Sequence, residues 1–262
     1  NFDYPSSISL GTTMLDFQIK DDNGNPVENA KVTLLMGNDI IFTTGITDDN
    51  GNISLFWDAV EEGTMNLTVI KNNYRPYESS IDISSENGAA VALDINTITA
   101  SVGEWTSFDL SLHNYGYGFA DNVIAELSSS SDHATIEESI VHYGDINSGS
   151  YVIKSFDVYI HGTAFNGEDL QFQLSISDEN NNWINYVPVN IVGPKLYVQE
   201  YIGDVSPGNL ANISLDIKNQ GSQKAFDLLL EFNSYQNVEV TNSSGVFLSE
   251  LGVEENIILD GF

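Results

Sequence analysis

Phe108-Asp109-Leu110-Ser111-Leu112-His113-Asn114-Tyr115-Gly116 and, 105 positions further on, Ile213-Ser214-Leu215-Asp216-Ile217-Lys218-Asn219-Gln220-Gly221 are one pattern written twice. Each begins with three apolar residues at alternate positions, the period of a strand with one buried face. Each ends on Asn-x-Gly. The register holds beyond the quoted stretch: Ala120 returns as Ala225, and Val123, Ala125, Leu127 return as Leu228, Leu230, Phe232. So many pairs at one offset identify a duplicated all-β unit of about 105 residues. The first copy runs to about Ile191, whereas the second is cut at Phe262, whose counterpart is Asp157. The sequence therefore reads as a piece of a longer array, with the apolar residues Leu215, Leu230 and Phe232 expected to be poorly covered.

Ahead of the duplication the pattern differs but the period does not. Alternation appears at Leu15, Phe17, Ile19, then at Val32, Leu34, Met36, at Ile53, Leu55, Trp57, at Met65, Leu67, Val69, and at Ile81, Ile83. Turn signals separate these runs, among them Asp22-Asn23-Gly24-Asn25-Pro26 and Asp49-Asn50-Gly51-Asn52, in which Gly supplies the positive φ of a tight hairpin. No window keeps a helical period. The sequence thus predicts three all-β sandwich units at residues 1–86, 87–192 and 193–262, the last incomplete, with Gly193-Pro194 at the second boundary. Within the second unit, strands are predicted near 91–95, 106–112, 123–127, 151–160, 170–176 and 183–191.

Composition narrows the function. Of 262 residues 41% are hydrophobic, enough for packed cores. Against 38 Asp and Glu stand 8 Lys and Arg, and a net charge of −30 repels nucleic acid and anionic lipid. Without cysteine there is no disulfide, thiolate metal site or cysteine nucleophile. No apolar run is long enough to span a bilayer, so membrane insertion is not expected. The first residue is Asn, which suggests a processed or excised segment.

The string Asp22-Asn23-Gly24-Asn25-Pro26-Val27, Ala30-Lys31-Val32-Thr33-Leu34, Thr47-Asp48-Asp49-Asn50-Gly51-Asn52-Ile53, Gly63 to Val69 and Tyr74-Arg75-Pro76-Tyr77 resembles the Ig-like domain that follows the catalytic domain of gingipain-type cysteine peptidases. It resembles more loosely the carboxypeptidase-regulatory and transthyretin-like sandwiches of bacterial surface proteins. The later regions, with Gly103 or Gly208 ahead of an alternating strand and then Asn-x-Gly, are similar to adhesion-related (CARDB-like) bacterial Ig-like modules. The resemblance implies a secreted or cell-surface protein and a non-catalytic stalk, spacer or interaction region. Its partners would be neighbouring domains or neighbouring protomers, and a glycan or protein ligand. Two other roles fit the same residues: an adhesin or carbohydrate-binding module, and a filament subunit completed by strand exchange. No catalytic residues are assigned, since the gingipain nucleophile would lie in another domain and no Gly-x-Ser-x-Gly elbow occurs.

One loop differs between the copies in a chemically specific way. Tyr115, Tyr117 and Phe119 stand where the second copy has Gln220, Ser222 and Lys224. These three aromatics are the candidate ligand-binding residues, able to stack on a sugar or peptide. The alternative is that they fill the junction with the first region or cap their own core. No metal site is assigned: His113, His133, His142 and His161 have no ligand spacing. No cofactor is expected other than calcium. Asp21-x-Asn23-x-Asn25, Asp48-x-Asn50-x-Asn52 and the run Asp178 to Asn182 set oxygens as a calcium loop begins, but lack its distal acid and helices. Asn52, Asn66, Asn212 and Asn242 lie in Asn-x-Ser/Thr acceptor patterns.

Overall fold

The computed structural model describes residues 2–85, 88–94, 97–203, 206–231, 239–240 and 245–260, which form strands and no helix. The first region holds β1 (Phe2–Asp3), β2 (Ser7–Ser9), β3 (Met14–Ile19), β4 (Lys31–Met36), β5 (Ile41–Ile46), β6 (Asn52–Phe56), β7 (Gly63–Ile70) and β8 (Tyr77–Ser84). They make two sheets, β1-β3-β6 and β2-β8-β7-β4-β5. The alternating residues read from the sequence line the space between them: Phe17, Leu34, Met65, Leu67 and Ile81 are all buried. Strand β5 escaped the periodicity because it lies at a sheet edge, with Ile41 buried while Phe42 and Ile46 face out. The hairpin expectation needs correcting at Asp22, where the turn leads from β3 to β4 in the other sheet, and again at Asp48. That turn has Gly51 at φ +74°, but β5 pairs with β4 and β6 pairs with β3. The turn therefore carries the chain from one sheet to the other.

The second region holds β9 (Val91–Leu93), β10 (Ile98–Ser101), β11 (Trp105–Asn114), β12 (Ala120–Ser129), β13 (Ala134–Ile136), β14 (Ile140–Ile146), β15 (Tyr151–Ile160), β16 (Phe172–Ser177), β17 (Asn182–Val187) and β18 (Val189–Val192). Sheets β13-β15-β11-β9 and β14-β12-β16-β17 face each other. Their inner faces put Phe108, Phe156, Phe172 and Trp183 wholly out of solvent. Truncating any one of these aromatics to alanine would cost about 3–5 kcal/mol. The single run predicted at 183–191 is two strands. Pro188 lacks the N–H to continue the ladder, and beyond it β18 pairs in parallel with β10 instead.

The third region holds β19 (Leu196–Ile202), β20 (Ser214–Asn219), β21 (Ala225–Leu230), β22 (Val246–Leu251) and β23 (Asn256–Leu259), in sheets β19-β20-β23 and β21-β22. At the offset of the repeat these five match β9, β11, β12, β14 and β15, down to the left-handed residue in β12 and β21, Asn122 at φ +51° and Asp227 at φ +50°. In the second region β12 lies between β14 and β16, whereas β21 has only β22 beside it among the described residues. The expectation of poor cover is thus met unevenly. Leu215 is buried through its pairing with Leu259, while Leu228 and Leu230 are only partly buried. Phe232 lies outside the described residues.

Three hydrophobic clusters result, and the first two meet at the junction. Ala90 packs in the first cluster, and Ala89 and Val91 in the second. The predicted boundary residues Glu86 and Asn87 lie outside the described residues.

Candidate functional site

Asn114 and Asn219 end β11 and β20, and both are completely buried. A buried carboxamide must satisfy its two acceptor and two donor sites or lose the hydrogen bonds that water gave it. In the second region Ala90 N–H (3.1 Å) and Gly116 N–H (3.0 Å) donate to Asn114 Oδ1, and Asn114 Nδ2 donates to the carbonyls of Gly118 (2.9 Å) and Ile146 (3.0 Å). In the third region Lys195 N–H (3.1 Å) and Gly221 N–H (2.9 Å) donate to Asn219 Oδ1. Its Nδ2 donates to the carbonyls of Gln223 (2.8 Å) and Leu251 (3.1 Å). Every partner is displaced by 105 positions. The glycine two residues on is required by space: a Cβ on Gly116 would lie 2.1 Å from Gly88 O, and one on Gly221 2.2 Å from Gly193 O. The Asn-x-Gly read from sequence as a turn is therefore a clamp. It fixes the segment by which the chain enters each repeat.

The junction between first and second regions carries a further buried amide. Asn185 of β17, 1% exposed, accepts from Leu93 N–H at 2.6 Å and donates to Gly11 O at 2.8 Å. Thr13 N–H donates to Ile184 O at 2.8 Å, and the Phe56 and Tyr186 rings stack at 4.3 Å. Gly11, at φ +101°, lies so close that a Cβ would be 2.7 Å from Val91 O and 2.8 Å from Trp183. Burial first, and then the charge of Asp169, raise the Tyr186 hydroxyl above its ordinary pKa. None of this is visible in the sequence, because the three segments are far apart in the chain.

The candidate aromatics do not act as one group. Tyr115 folds back on its own sheet, its ring 4.2 Å from that of His113, and its hydroxyl donates to Asp94 at 2.6 Å. Burial, followed by the hydrogen bond and charge of Asp94, pushes its pKa up to about 12. Tyr117 is 89% exposed and Phe119 51% exposed. The loop thus leaves Tyr117 in solvent instead of filling the junction with the first region. The third region's equivalent loop is docked: Ser222 N–H donates to Asn166 Oδ1 at 3.3 Å, and Gln223 Nε2 donates to Ser101 Oγ at 3.0 Å.

No protein-family model matches the chain. In sequence, part of it is similar to the inverse autotransporter adhesin YeeJ of Escherichia coli (strain K12). The identity is 29% over 102 residues, covering 36% of this chain and 4% of the adhesin. The chain thus spans a small fraction of that relative's length. Among solved structures it is similar to a biofilm-associated protein BSP domain, with TM-score 0.28 and 10% identity over 71% of this chain and 29% of the other. It is also similar to the Dpr2 Ig1–Ig2 pair solved in complex with DIP-Theta, with TM-score 0.27 and 10% identity over 99% of this chain and 87% of the other. The sequence similarity is thus to an adhesin, over part of this chain.

The oxygen-rich turns use their carboxylates locally. Asp21 Oδ1 accepts from the N–H groups of Asn23 and Asn25, and Asp48 Oδ1 from those of Asn50 and Asn52. The bond from the Asn25 backbone is the first cause of the lowered pKa of Asp21. Asp178 Oδ1 accepts from Asn180 and Asn181 N–H in the same way. Beside that turn, Asp121 has a raised pKa, first through a shared hydrogen bond with Asp145, then burial and the charge of Glu179. Among the described residues no three His, Cys, Asp or Glu side chains are grouped to hold a metal ion. Three histidines have separate partners: His113 stands 3.7 Å from Asp94, His133 Nδ1 is 2.7 Å from Glu168, and His161 Nε2 is 2.8 Å from Thr135 Oγ1. Asn52, Asn66 and Asn212 are exposed, and Asn242 lies outside the described residues.

Proposed function

We propose that this chain is a non-catalytic, adhesion-related array of Ig-like modules, at residues 1–86, 87–192 and 193–262, on the outside of a cell. The observation that carries the reading is the junction between the first two modules. Buried Asn185 ties Gly11, Leu93 and β17 together there. Rigid modules joined this way hold a distal domain at a set distance and orientation. The adhesin similarity supports the setting, a secreted or surface location with neighbouring domains or protomers as partners. Small-angle scattering of the purified chain tests it. A narrow, elongated distance distribution is expected, broadened by Asn185→Ala. A wild-type distribution as broad as that of freely jointed modules would refute the spacer reading.

The gingipain resemblance adds one variant, a spacer that carries a peptidase, and the reading frame upstream of Asn1 tests that. Filament assembly by strand exchange is favoured by one observation. Beside β21, among the described residues, the edge away from β22 has no strand, and Leu228 and Leu230 are partly buried. Electron microscopy that finds only dispersed monomers would refute it.

A further inference from the structure

The outer face of the β13-β15-β11-β9 sheet has a composition that the spacer role does not explain. Phe108, Leu110, Leu112, Phe156, Val158 and Ile160 point into the core, so the residues between them face solvent. At one end Trp105, 55% exposed, pairs across the strands with Tyr159, ring centroids 5.4 Å apart, and Tyr159 lies 5.6 Å from His161. At the other end His113 pairs with Tyr151, which is 62% exposed, and packs on Tyr115. Between the ends, Ser107 pairs with Asp157 and Asp109 with Ser155, whose hydroxyl donates to Asp109 at 2.6 Å. The rise of a strand separates the two aromatic ends by about 26 Å.

Trp105, Glu137 and Asp157 surround an open concavity of about 440 Å³, and a second of about 300 Å³ shares Glu137 and Asp157. From Trp105 to His113 and from Tyr151 to Tyr159, the outward positions of the two strands bear no lysine or arginine.

We propose that this face binds an elongated polysaccharide that carries amino groups. The exposed rings offer flat apolar surfaces for the C–H faces of sugar rings, and Trp is the strongest side chain for a cation held over an aromatic face. Asp109, Asp157 and Glu137 accept hydrogen bonds from hydroxyl and ammonium groups alike and complement a positive ligand. Anionic glycans are repelled. A basic peptide fits less well. Extended peptides are held through free backbone groups at a sheet edge, whereas the aromatic and acidic groups here are side chains on the outer face of the β11–β15 pair, which is hydrogen-bonded from Trp105 to His113. The proposal goes beyond the spacer reading and is independent of it, since the scattering of the free chain is blind to sugar binding.

Calorimetric titration of the full chain with a glucosamine hexamer, at a slightly acidic pH where its amines are charged, tests the proposal. Binding is expected, weaker for the N-acetylated hexamer and at least about tenfold weaker for Trp105→Ala and for Asp157→Asn. Both variants change exposed side chains, and unchanged circular dichroism confirms that each is folded. Three results would overturn the proposal: no binding of either hexamer, affinity unchanged in both folded variants, or hexalysine binding as tightly as the glucosamine hexamer.

Discussion

The loops that follow Asn114 and Asn219 share a backbone and differ in everything they touch. Both are held by a buried amide with the same four partners at the repeat offset, and both need a glycine against a carbonyl. Yet Ser222 meets Asn166 of the preceding region, whereas Tyr117, its counterpart, stands in solvent. The preceding neighbours differ in sequence and topology, so among the described residues a loop built to one plan finds a side-chain contact with the preceding region at one junction and none at the other. Duplication preserved the clamp because the clamp's partners lie within each copy or in the segment leading into it. It did not preserve the surface, which answers to whatever lies next door.

The largest test of that comparison is to remove the clamps. Asn114→Ala leaves up to four buried backbone groups without partners, at about 1–3 kcal/mol each, so a loss of about 3 kcal/mol or more is expected in denaturant unfolding of the second module. Asn219→Ala should lose a similar amount in the third, and a loss below about 1 kcal/mol in both would break the clamp account. Gly116→Ala and Gly221→Ala come next. Overpacking against a carbonyl should cost about 1–3 kcal/mol and, if the copies are equivalent, nearly the same in each. Asn166→Ala removes a contact that exists only at the second junction. About 1 kcal/mol or less is expected, together with greater bending at that junction alone, read by scattering on the full chain.

A smaller effect distinguishes Tyr115 from its counterpart Gln220. With a pKa raised from 10.0 to about 12, Tyr115 favours the folded state through its neutral form. That contribution is full below about pH 10 and fades as pH rises towards 12, once the unfolded chain ionises first. The free energy of unfolding should therefore fall more steeply from pH 9 to pH 12 in wild type than in Tyr115→Phe. Parallel curves would show that the Asp94 hydrogen bond does not govern this ionisation. At the bottom of the scale, Tyr117→Ala should leave stability within about 0.5 kcal/mol of wild type, as for a side chain that stands in solvent.

Much of the fold was legible in the chain itself. Alternation at Leu15 to Ile19, Val32 to Met36 and Phe108 to Leu112 marks the buried faces, and the structure buries those faces. Edge strands were harder. In β5 the apolar residues sit on both faces, and β13 is three residues long, too short for a period to show. Pro188 stood in plain view, but that it turns the chain to a parallel partner depends on β10, some ninety residues earlier. Of the candidate site, Tyr115, Tyr117 and Phe119 could be singled out by contrast between the copies. That all three are exposed, with Tyr115 alone held by partners on its own sheet, could not, because Asp94 and His113 approach Tyr115 only when β9 lies beside β11.

The sequence by itself determined the all-β class, the offset of the repeat, the recurrence of Asn-x-Gly and a net charge of −30. Each is a local or compositional property, written in a period of two or in a count. Only the tertiary structure decided that Asn-x-Gly is a buried clamp, that Asn185 joins Gly11 to Leu93, and that Trp105 and Tyr159 share one solvent face with Asp157. A hydrogen bond or an aromatic pair needs atoms within a few ångströms, and the segments that supply Asn185 and Gly11 are 174 residues apart in the chain. Folding alone brings them together.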